Sequence, residues 1–488
     1  MKLIILLIII LVFLVNNLFF LEKFNTNTNN NNLKLFNNSI VRIRSQKKDF
    51  NWMEPYLSNV PYESIGTGFF INKQGYLVTN YHVINNSLKI HIQIPIYGSE
   101  TFDSELISVY PKLDLALLKI KNYEVNENSL NLGNSDNLKR GDDVVAIGYP
   151  LGQTKLKMTS GIVSGFQDGD IQTDSAINPG NSGGPLIKGN KVIGVNYAGY
   201  DDAQNVSYAI PINYFKKILS KMLKKKFIDF PVLGCTFNNT NKTIMNQRKL
   251  CKEGYYISQV LQDGTMDKVG IKKGDILCSF DNLQVDNFGE IFIEKLDIKF
   301  HIMDYLKYKH VGDKIDITII RENTNEKLNK EIVLDSNNFY KIRYRYPKYE
   351  NIEYLIIGGM VIMNLTNNHL NEDNIGTIVK KYDKVEKKTE NKLIITNILK
   401  GSSLAEYNIF TSPNILSEVN GNKVNTIKNL KETLLKMKVN GDKKYISFLT
   451  ENDKYFLLEK EESKKEELFL SKELDYKLTD FIKNLLDI

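Results

Sequence analysis

The sequence predicts a mainly β chain built from several separately cored modules, and three observations lead there. Its 488 residues exceed what one ordinary core organises, and about three domains is the expected number. Short apolar runs are punctuated by Gly/Asn/Asp turns, as where residues 66–71 and 76–84 flank Asn72-Lys73-Gln74-Gly75, a hairpin pattern. Hydrophobic residues make up 42% of the chain, and no long half is polar enough to stay unfolded.

At the N-terminus a continuous apolar run follows Lys2, and Asn16-Asn17 separates it from Leu18-Phe19-Phe20-Leu21. From Leu3 to Leu21 the stretch matches the ~20 residues that span a bilayer. No small-x-small cleavage site follows, which favours a retained signal anchor over a removed signal peptide. The tract from Asn25 to Asn32 is of low complexity and reads as a tether.

The predicted hairpin delivers His82, in Thr79-Asn80-Tyr81-His82-Val83, to the end of its second strand, where a side chain reaches a cleft. Asp114 directly precedes the apolar run Leu115-Ala116-Leu117-Leu118. A carboxylate there is costly to bury without a partner, and an imidazole N–H is such a partner. Ser182 lies in Asn178-Pro179-Gly180-Asn181-Ser182-Gly183-Gly184-Pro185, where small and turn-forming residues allow a sharp bend. A bend of that kind aims successive N–H groups at one point, as an oxyanion hole requires. Taken singly, each has a structural reading: a histidine after a strand, an aspartate in a turn, a serine in a loop. Together they satisfy nucleophile, base and orienter in the order His, Asp, Ser. The expected roles are Ser182 as nucleophile, His82 as base and then acid, and Asp114 as orienter. Gly180, Ser182 and Asn181 are the oxyanion donors. His91, His301, His310 and His369 lack comparable surroundings, and Asp103, the rival to Asp114, has polar neighbours.

Composition excludes other classes. Net charge is +7, yet the lysines are scattered along the chain, and no Arg-rich or aromatic-basic run suggests nucleic-acid binding. No cofactor or metal ion is expected. The three cysteines, Cys235, Cys251 and Cys278, all follow the Ser182 segment, so that segment holds no disulfide. Their spacing allows a Cys235–Cys251 bridge with Cys278 left over, and the reading favours reduced thiols.

From about Ser39 to Leu223 the motifs resemble the HtrA/Deg family of serine endoproteases. Carrying the resemblance are Gly66-Thr67-Gly68-Phe69, the His82 and Asp114 segments, Leu132-Gly133-Asn134-Ser135, Ala146-Ile147-Gly148-Tyr149-Pro150, Gly161-Ile162-Val163-Ser164, the Ser182 loop and Ser207-Tyr208-Ala209-Ile210-Pro211. The resemblance implies a chymotrypsin-like double β-barrel and ATP-independent cleavage of unfolded or damaged proteins. It implies a specificity pocket shaped by Ile177 and by Asn196, Tyr197 and Ala198 at the start of the loop 196–207, suited to small or medium apolar side chains. It also implies a homotrimer or higher homo-oligomer, with Phe50, Trp52 and Tyr56 as interface candidates, although domain packing explains Trp52 equally well.

Beyond the protease segment, Pro211–Leu219 reads as a short helix with Asn213 as cap, and 221–226 as a charged linker. Strand-like 254–260, 270–282 and 311–321 are similar to a PDZ domain, which binds an extended peptide as an added strand and holds its C-terminal carboxylate on backbone N–H groups. The carboxylate loop would lie near Leu233, Gly234, Cys235 and Thr236. A second PDZ-like module begins at 354–362, with later strands at 393–399, 416–421 and 445–449. It lacks the Gly-x-x-Pro-Gly-Asp turn, 408–413 standing in its place, so peptide binding and a structural role both stay open. Two such modules resemble the plant-type Deg branch. Leu468, Leu470, Leu474, Leu478, Phe481, Ile482 and Leu485 have helical spacing, with packing inside the chain favoured over packing on another subunit.

The expected organisation is 1–24 signal or anchor, 25–38 linker, 39–225 trypsin-like protease, 230–345 and 350–465 PDZ-like α+β domains, and 466–488 terminal helix. The expected function is serine endopeptidase activity on unfolded proteins, with peptide C-termini bound at the PDZ module. A narrow-specificity processing protease, a protease-fold binder with little basal activity and a PDZ scaffold are the alternatives.

Overall fold

A computed structural model describes residues 30–122, 129–199, 206–248, 250–322, 324–408, 412–439 and 444–488. The expected anchor from Leu3 to Leu21 lies outside these residues, as do most of the Asn tract and the middle of the 408–413 turn. Among the described residues no helix is long and apolar enough to cross a membrane. The chain forms two compact units.

The first unit holds two β-barrels. Strands β1 (Ile40–Lys47), β2 (Tyr62–Phe70), β3 (Tyr76–Asn80), β4 (Ser87–Gln93), β5 (Thr101–Tyr110) and β6 (Leu115–Ile120) close in the order β1-β2-β3-β6-β5-β4. The β2–β3 hairpin forms as predicted, pairing Phe69 with Val78. Gly75 turns at φ 81°, and the Asn72 carboxamide oxygen accepts the N–H groups of Gln74 and Tyr76. Next come β7 (Asn131–Leu132), β8 (Asp143–Gly148), β9 (Lys157–Gln167), β10 (Asp170–Thr173), β11 (Pro185–Lys188), β12 (Lys191–Gly199) and β13 (Ser207–Pro211), in the order β11-β8-β9-β10-β13-β12-β7. Pairing of β11 with β12 closes six of them into a second barrel around Val144, Ala146, Val163, Ile171, Leu186 and Ile193.

Helix α1 (Ile212–Met222) follows directly on β13. Asn213 is not its cap but lies inside it. Pro211 occupies the N-cap position, the Asn213 N–H is accepted by Ser135 Oγ at 3.2 Å, and the Asn213 side-chain amide donates to Asn134 Oδ1 at 2.6 Å.

The second unit begins at Phe227 and also takes in residues 46–63 and 85–88. Its first sheet orders β15 (Cys235–Asn238), β16 (Tyr255–Val260), β17 (Ile276–Phe280), β21 (Lys314–Ile320) and β22 (Lys327–Val333), with β18 (Leu283–Gln284) against β17. Short β14 (Pro231–Val232) pairs β23 (Asp335–Ser336), and β19 (Glu290–Ile293) pairs β20 (Ile298–His301). Leu233, Ile257, Leu277, Phe280, Ile317 and Ile319 form its core. The cysteines differ from expectation. Cys251 bonds to Cys278, across Cα atoms 6.3 Å apart, and Cys235 is the free one, buried in the core at the start of β15. The spacing rule missed this because β17 brings Cys278 beside the loop bearing Cys251, whereas Cys235 faces Val260 across the sheet.

The second sheet orders β24 (Tyr354–Ile357), β25 (Met360–Asn364), β26 (Leu393–Ile398), β27 (Asn414–Val419), β29 (Tyr445–Thr450) and β30 (Tyr455–Glu459), with β28 (Asn422–Lys423) on β27. The run 354–362, expected as one strand, folds back on itself. Gly358 and Gly359, at φ 54° and 72°, make a two-residue hairpin turn that pairs Ile357 with Met360. β25 is therefore hydrogen-bonded on both sides, by β24 and by β26. Leu355 and Ile357 of β24 belong to the same core as Leu430 and Leu434 of helix α2 (Ile427–Val439).

The tail is two helices, α3 (Lys460–Glu473) and α4 (Asp480–Leu486), the second capped by Thr479, whose hydroxyl accepts the Ile482 N–H. Both pack within the unit. Leu470 joins Ile356 and Val361, and Ile482, Leu485 and Leu486 join the α2 core. Phe50 and Trp52 pack beside Met363, Leu365 and Leu370, the Trp52 ring lies edge-on to His369 at 5.3 Å, and Tyr56 meets Tyr476 at 6.0 Å. The aromatics expected at a subunit interface are partly buried within this unit. Burial lowers the His369 imidazole to about 3, so it packs there as a neutral ring.

Candidate active site

Two hairpin ends and one loop converge in the first unit. β3 runs into a single helical turn, Tyr81–Ile84, which carries His82. Asp114 terminates the turn before β6 at φ 51°, a left-handed conformation that aspartate tolerates better than most residues. Register fixes the pair, because β3 and β6 align Asn80 with Leu115. The Asp114 carbonyl accepts the Tyr81 N–H and the Asn80 amide, both at 3.0 Å. One Asp114 carboxylate oxygen accepts the His82 backbone N–H at 2.8 Å, and the other lies 2.6 Å from His82 Nδ1. Both oxygens of one carboxylate thus fix one histidine, through its backbone and its ring.

Gly66 explains how the Ser182 loop meets this pair. A Cβ there would come within 2.5 Å of Val83 Cγ1 and 3.2 Å of the Ser182 carbonyl oxygen, so the His82 turn and the Ser182 loop close over a bare backbone. Gly180 and Gly183 have φ of 100° and 85°, which bend the chain sharply around Ser182. The Ser182 hydroxyl donates to the Tyr197 carbonyl at 3.3 Å. Among the described residues the N–H groups of Gly180 and Ser182 meet no acceptor, whereas the Asn181 N–H is used by the Asn178 carbonyl at 2.9 Å. Asn181 therefore drops out as an oxyanion donor: the turn that bends the loop consumes its N–H.

The expected pocket residues divide. Ile177 is almost fully buried among Val163, Ile193 and Ala209. Asn196 is wholly buried and turned inward, its amide donating to the Pro185 carbonyl at 3.1 Å, and its backbone pairs with Gly183 and Gly184. It supports the Ser182 loop and does not line a pocket. The Tyr197 hydroxyl donates to Asp170 at 3.1 Å, and burial beside Asp170 raises its pKa, so it stays protonated. Ala198 pairs with Tyr208 across β12 and β13, and residues 200–205 of the expected loop lie outside the described residues.

One residue had no expected role. Thr67, fully buried on β2, makes four hydrogen bonds around the site, with Gly180, Tyr149, Thr79 and Ser182. Its signal in the sequence is a lone threonine between two glycines, which names a tight place but no partner.

In the second unit the Leu233–Thr236 stretch is anchored by its carbonyls: Leu233 accepts the Met266 N–H and Gly234 the Leu261 N–H. Leu233 and Cys235 point into the core.

A trypsin-like barrel pair carrying a His–Asp couple beside a serine loop, joined to PDZ-type sheets, defines the class of trypsin-like serine peptidases with PDZ domains. A trypsin-like peptidase domain family model matches residues 66–195, and a PDZ domain family model matches residues 345–473, the module whose turn signature was missing. A probable periplasmic serine endoprotease, DegP-like, from Rickettsia conorii is 32% identical over 355 residues, 68% of this chain and 68% of the relative. A protein of the same description from Rickettsia prowazekii is 31% identical over 382 residues, 75% of this chain and 70% of the relative. The periplasmic serine endoprotease DegP of Escherichia coli (strain K12) is 31% identical over 290 residues, 56% of this chain and 58% of the relative. Among solved structures, the HtrA-type protease AlgW with a tripeptide shares the fold at TM-score 0.50 and 24% identity, over 62% of this chain and 96% of that one. The chain belongs to the HtrA/DegP family of serine endoproteases.

Proposed function

We propose that this endoprotease cleaves unfolded or damaged proteins outside the cytoplasm, with His82, Asp114 and Ser182 as its triad. The observation that carries the assignment is the double grip of the Asp114 carboxylate on His82, 2.6 Å from the ring and 2.8 Å from the backbone N–H. Held so, Nδ1 keeps its proton and Nε2 is the basic nitrogen. Ser182 Oγ attacks the scissile carbonyl carbon as its proton passes to His82. The oxyanion is received by the N–H groups of Gly180 and Ser182. His82⁺, stabilised by Asp114, then gives its proton to the leaving amine, and water repeats the sequence to release the acid.

The extracytoplasmic compartment is supported by the periplasmic relatives and by the apolar N-terminus. Ile177, Tyr197 and Ala198 are assigned to the border of the substrate side chain. Peptide C-termini are assigned to the first PDZ-like module, whose strand β15 ends its sheet and offers an edge for an added strand. In the second module β25 is paired on both sides but β24 ends the sheet as β15 ends the first, so the absent turn signature alone favours a structural role there. Possession of two such modules is what favours the plant-type branch. A homotrimer or higher homo-oligomer stays part of the proposal, since Phe50, Trp52 and Tyr56 are only partly buried in the second unit and keep surface for a subunit contact.

Incubation of the full chain with reduced casein, beside Ser182→Ala, tests the proposal. Serine-dependent cuts after many small apolar residues are expected. One or two defined cuts would favour a processing protease, and undiminished cutting by the alanine variant would refute Ser182 as the nucleophile.

A further inference from the structure

We propose that Thr67 is the positioning residue of the oxyanion hole: its one hydroxyl fixes both peptide planes that flank Gly180, and so aims the Gly180 N–H at the reacting oxygen. This rests on the Ser182 reading above.

Thr67 Oγ1 donates to the Gly180 carbonyl at 2.6 Å, which sets the plane of the Gly180–Asn181 peptide. The same oxygen accepts the Tyr149 N–H at 3.1 Å and so anchors the turn that follows β8. Two residues along that turn, the Leu151 N–H donates to the Pro179 carbonyl at 2.6 Å. A trans peptide is planar, with its C=O and N–H pointing opposite ways. With the Pro179 carbonyl directed to Leu151, the Gly180 N–H must face the other side, where among the described residues it meets no acceptor. Leu151 holds φ 55°, an unfavourable backbone for leucine, so this turn depends on its anchor.

The rest of Thr67 is equally committed. Its N–H donates to the Ser182 carbonyl at 2.8 Å, and its carbonyl accepts the Thr79 hydroxyl at 2.7 Å. It thus grips the nucleophile loop at two carbonyls, Gly180 and Ser182. Gly148, Gly183 and Gly184 bring their backbones so close to Thr67 that a Cβ on any of them would press on it. Valine would fill the same space while neither donating nor accepting, so Thr67→Val isolates the hydroxyl.

The test uses the full chain with Thr67→Val, Thr67→Ser and Ser182→Ala, a chromogenic peptide substrate, a peptide boronate and an unreactive peptide of the same sequence. The boronate forms a tetrahedral adduct that fills the oxyanion position, and the unreactive peptide does not. Loss of one oxyanion donor costs about 10²–10³ in kcat. Thr67→Val is therefore expected to lower kcat by about 10- to 1000-fold, with KM shifted less than about threefold. Boronate affinity should fall with kcat, the unreactive peptide should bind as before, and Thr67→Ser should recover most of the loss. If the valine variant does not fold, Thr67→Ala takes its place in the same comparison. Full activity of the valine variant, or equal losses in the valine and serine variants, would overturn the assignment of Thr67. So would a loss shared by the unreactive peptide. Activity surviving in Ser182→Ala would instead refute the nucleophile reading on which it rests.

Discussion

In the protease unit the groups assigned to chemistry are side chains held by other polar groups. Asp114 grips His82, Thr67 grips the Ser182 loop, and Asn196 supports that loop from beneath. In the second unit the groups assigned to recognition are strand edges: β15 ends one sheet, and β25 is enclosed in another. A side chain can be deleted, and its chemistry goes with it. A strand edge survives most substitutions, and only its neighbours decide whether it is open. The protease unit should therefore answer to single substitutions through rate, and the second unit through stability.

The largest effect is expected at Asp114. Asparagine also tolerates the left-handed backbone at φ 51°, so Asp114→Asn should fold normally. It would present the wrong hydrogen-bond pattern to His82, and kcat is expected to fall about 10⁴-fold with little change in KM or melting temperature. A kcat within tenfold of the unsubstituted enzyme would remove Asp114 from the site and blur the contrast between the units.

A smaller effect, on stability alone, is expected at Glu467 in α3. Its carboxyl is fully buried, accepts the Tyr476 hydroxyl at 2.9 Å and faces the Gly358–Gly359 turn. Burial raises it from 4.5 to about 7, against the pull of Tyr476 and the turn N–H groups. The folded protein thus keeps a proton that the unfolded chain has lost. The associated stability is fully present below about pH 4.5 and is lost as pH rises through 7. Glu467→Gln carries no such titration, so between pH 5 and pH 8 it should gain roughly 2–3 kcal/mol relative to the unsubstituted chain. Peptidase activity should not follow. A stability difference constant with pH would mean that Glu467 is ionised in place.

Much of the protease unit was legible in the sequence because its chemistry is local. The Gly-Asn-Ser-Gly-Gly run, the hairpin before His82 and the carboxylate before β6 each sit in one short segment. What stayed hidden depended on distant partners. The partners of Thr67, Gly180 and Tyr149, lie 113 and 82 residues away. Asn196 has the composition of a pocket residue, and only the backbone of β11 turns it inward. Asn213 looked like a cap until Ser135 supplied that service from 78 residues upstream. The second unit was harder because its signals are pairings. Gly358-Gly359 reads as part of a strand until β24 folds back on β25, and Cys251 has no visible claim on Cys278 until β17 brings them together. The tail periodicity was real, but it is shared between two helices interrupted before Thr479.

The central claim is that Ser182, activated by His82, is the nucleophile of this endoprotease. A fluorophosphonate probe tests it most directly, since Ser182 Oγ would form a bond to phosphorus as fluoride leaves and the hydroxyl proton passes to His82. The account predicts a single adduct, mapped by mass spectrometry to the peptide containing Ser182 and lost in His82→Ala. A folded, casein-cleaving enzyme that stays unlabelled, or that carries the label on another residue, would contradict it.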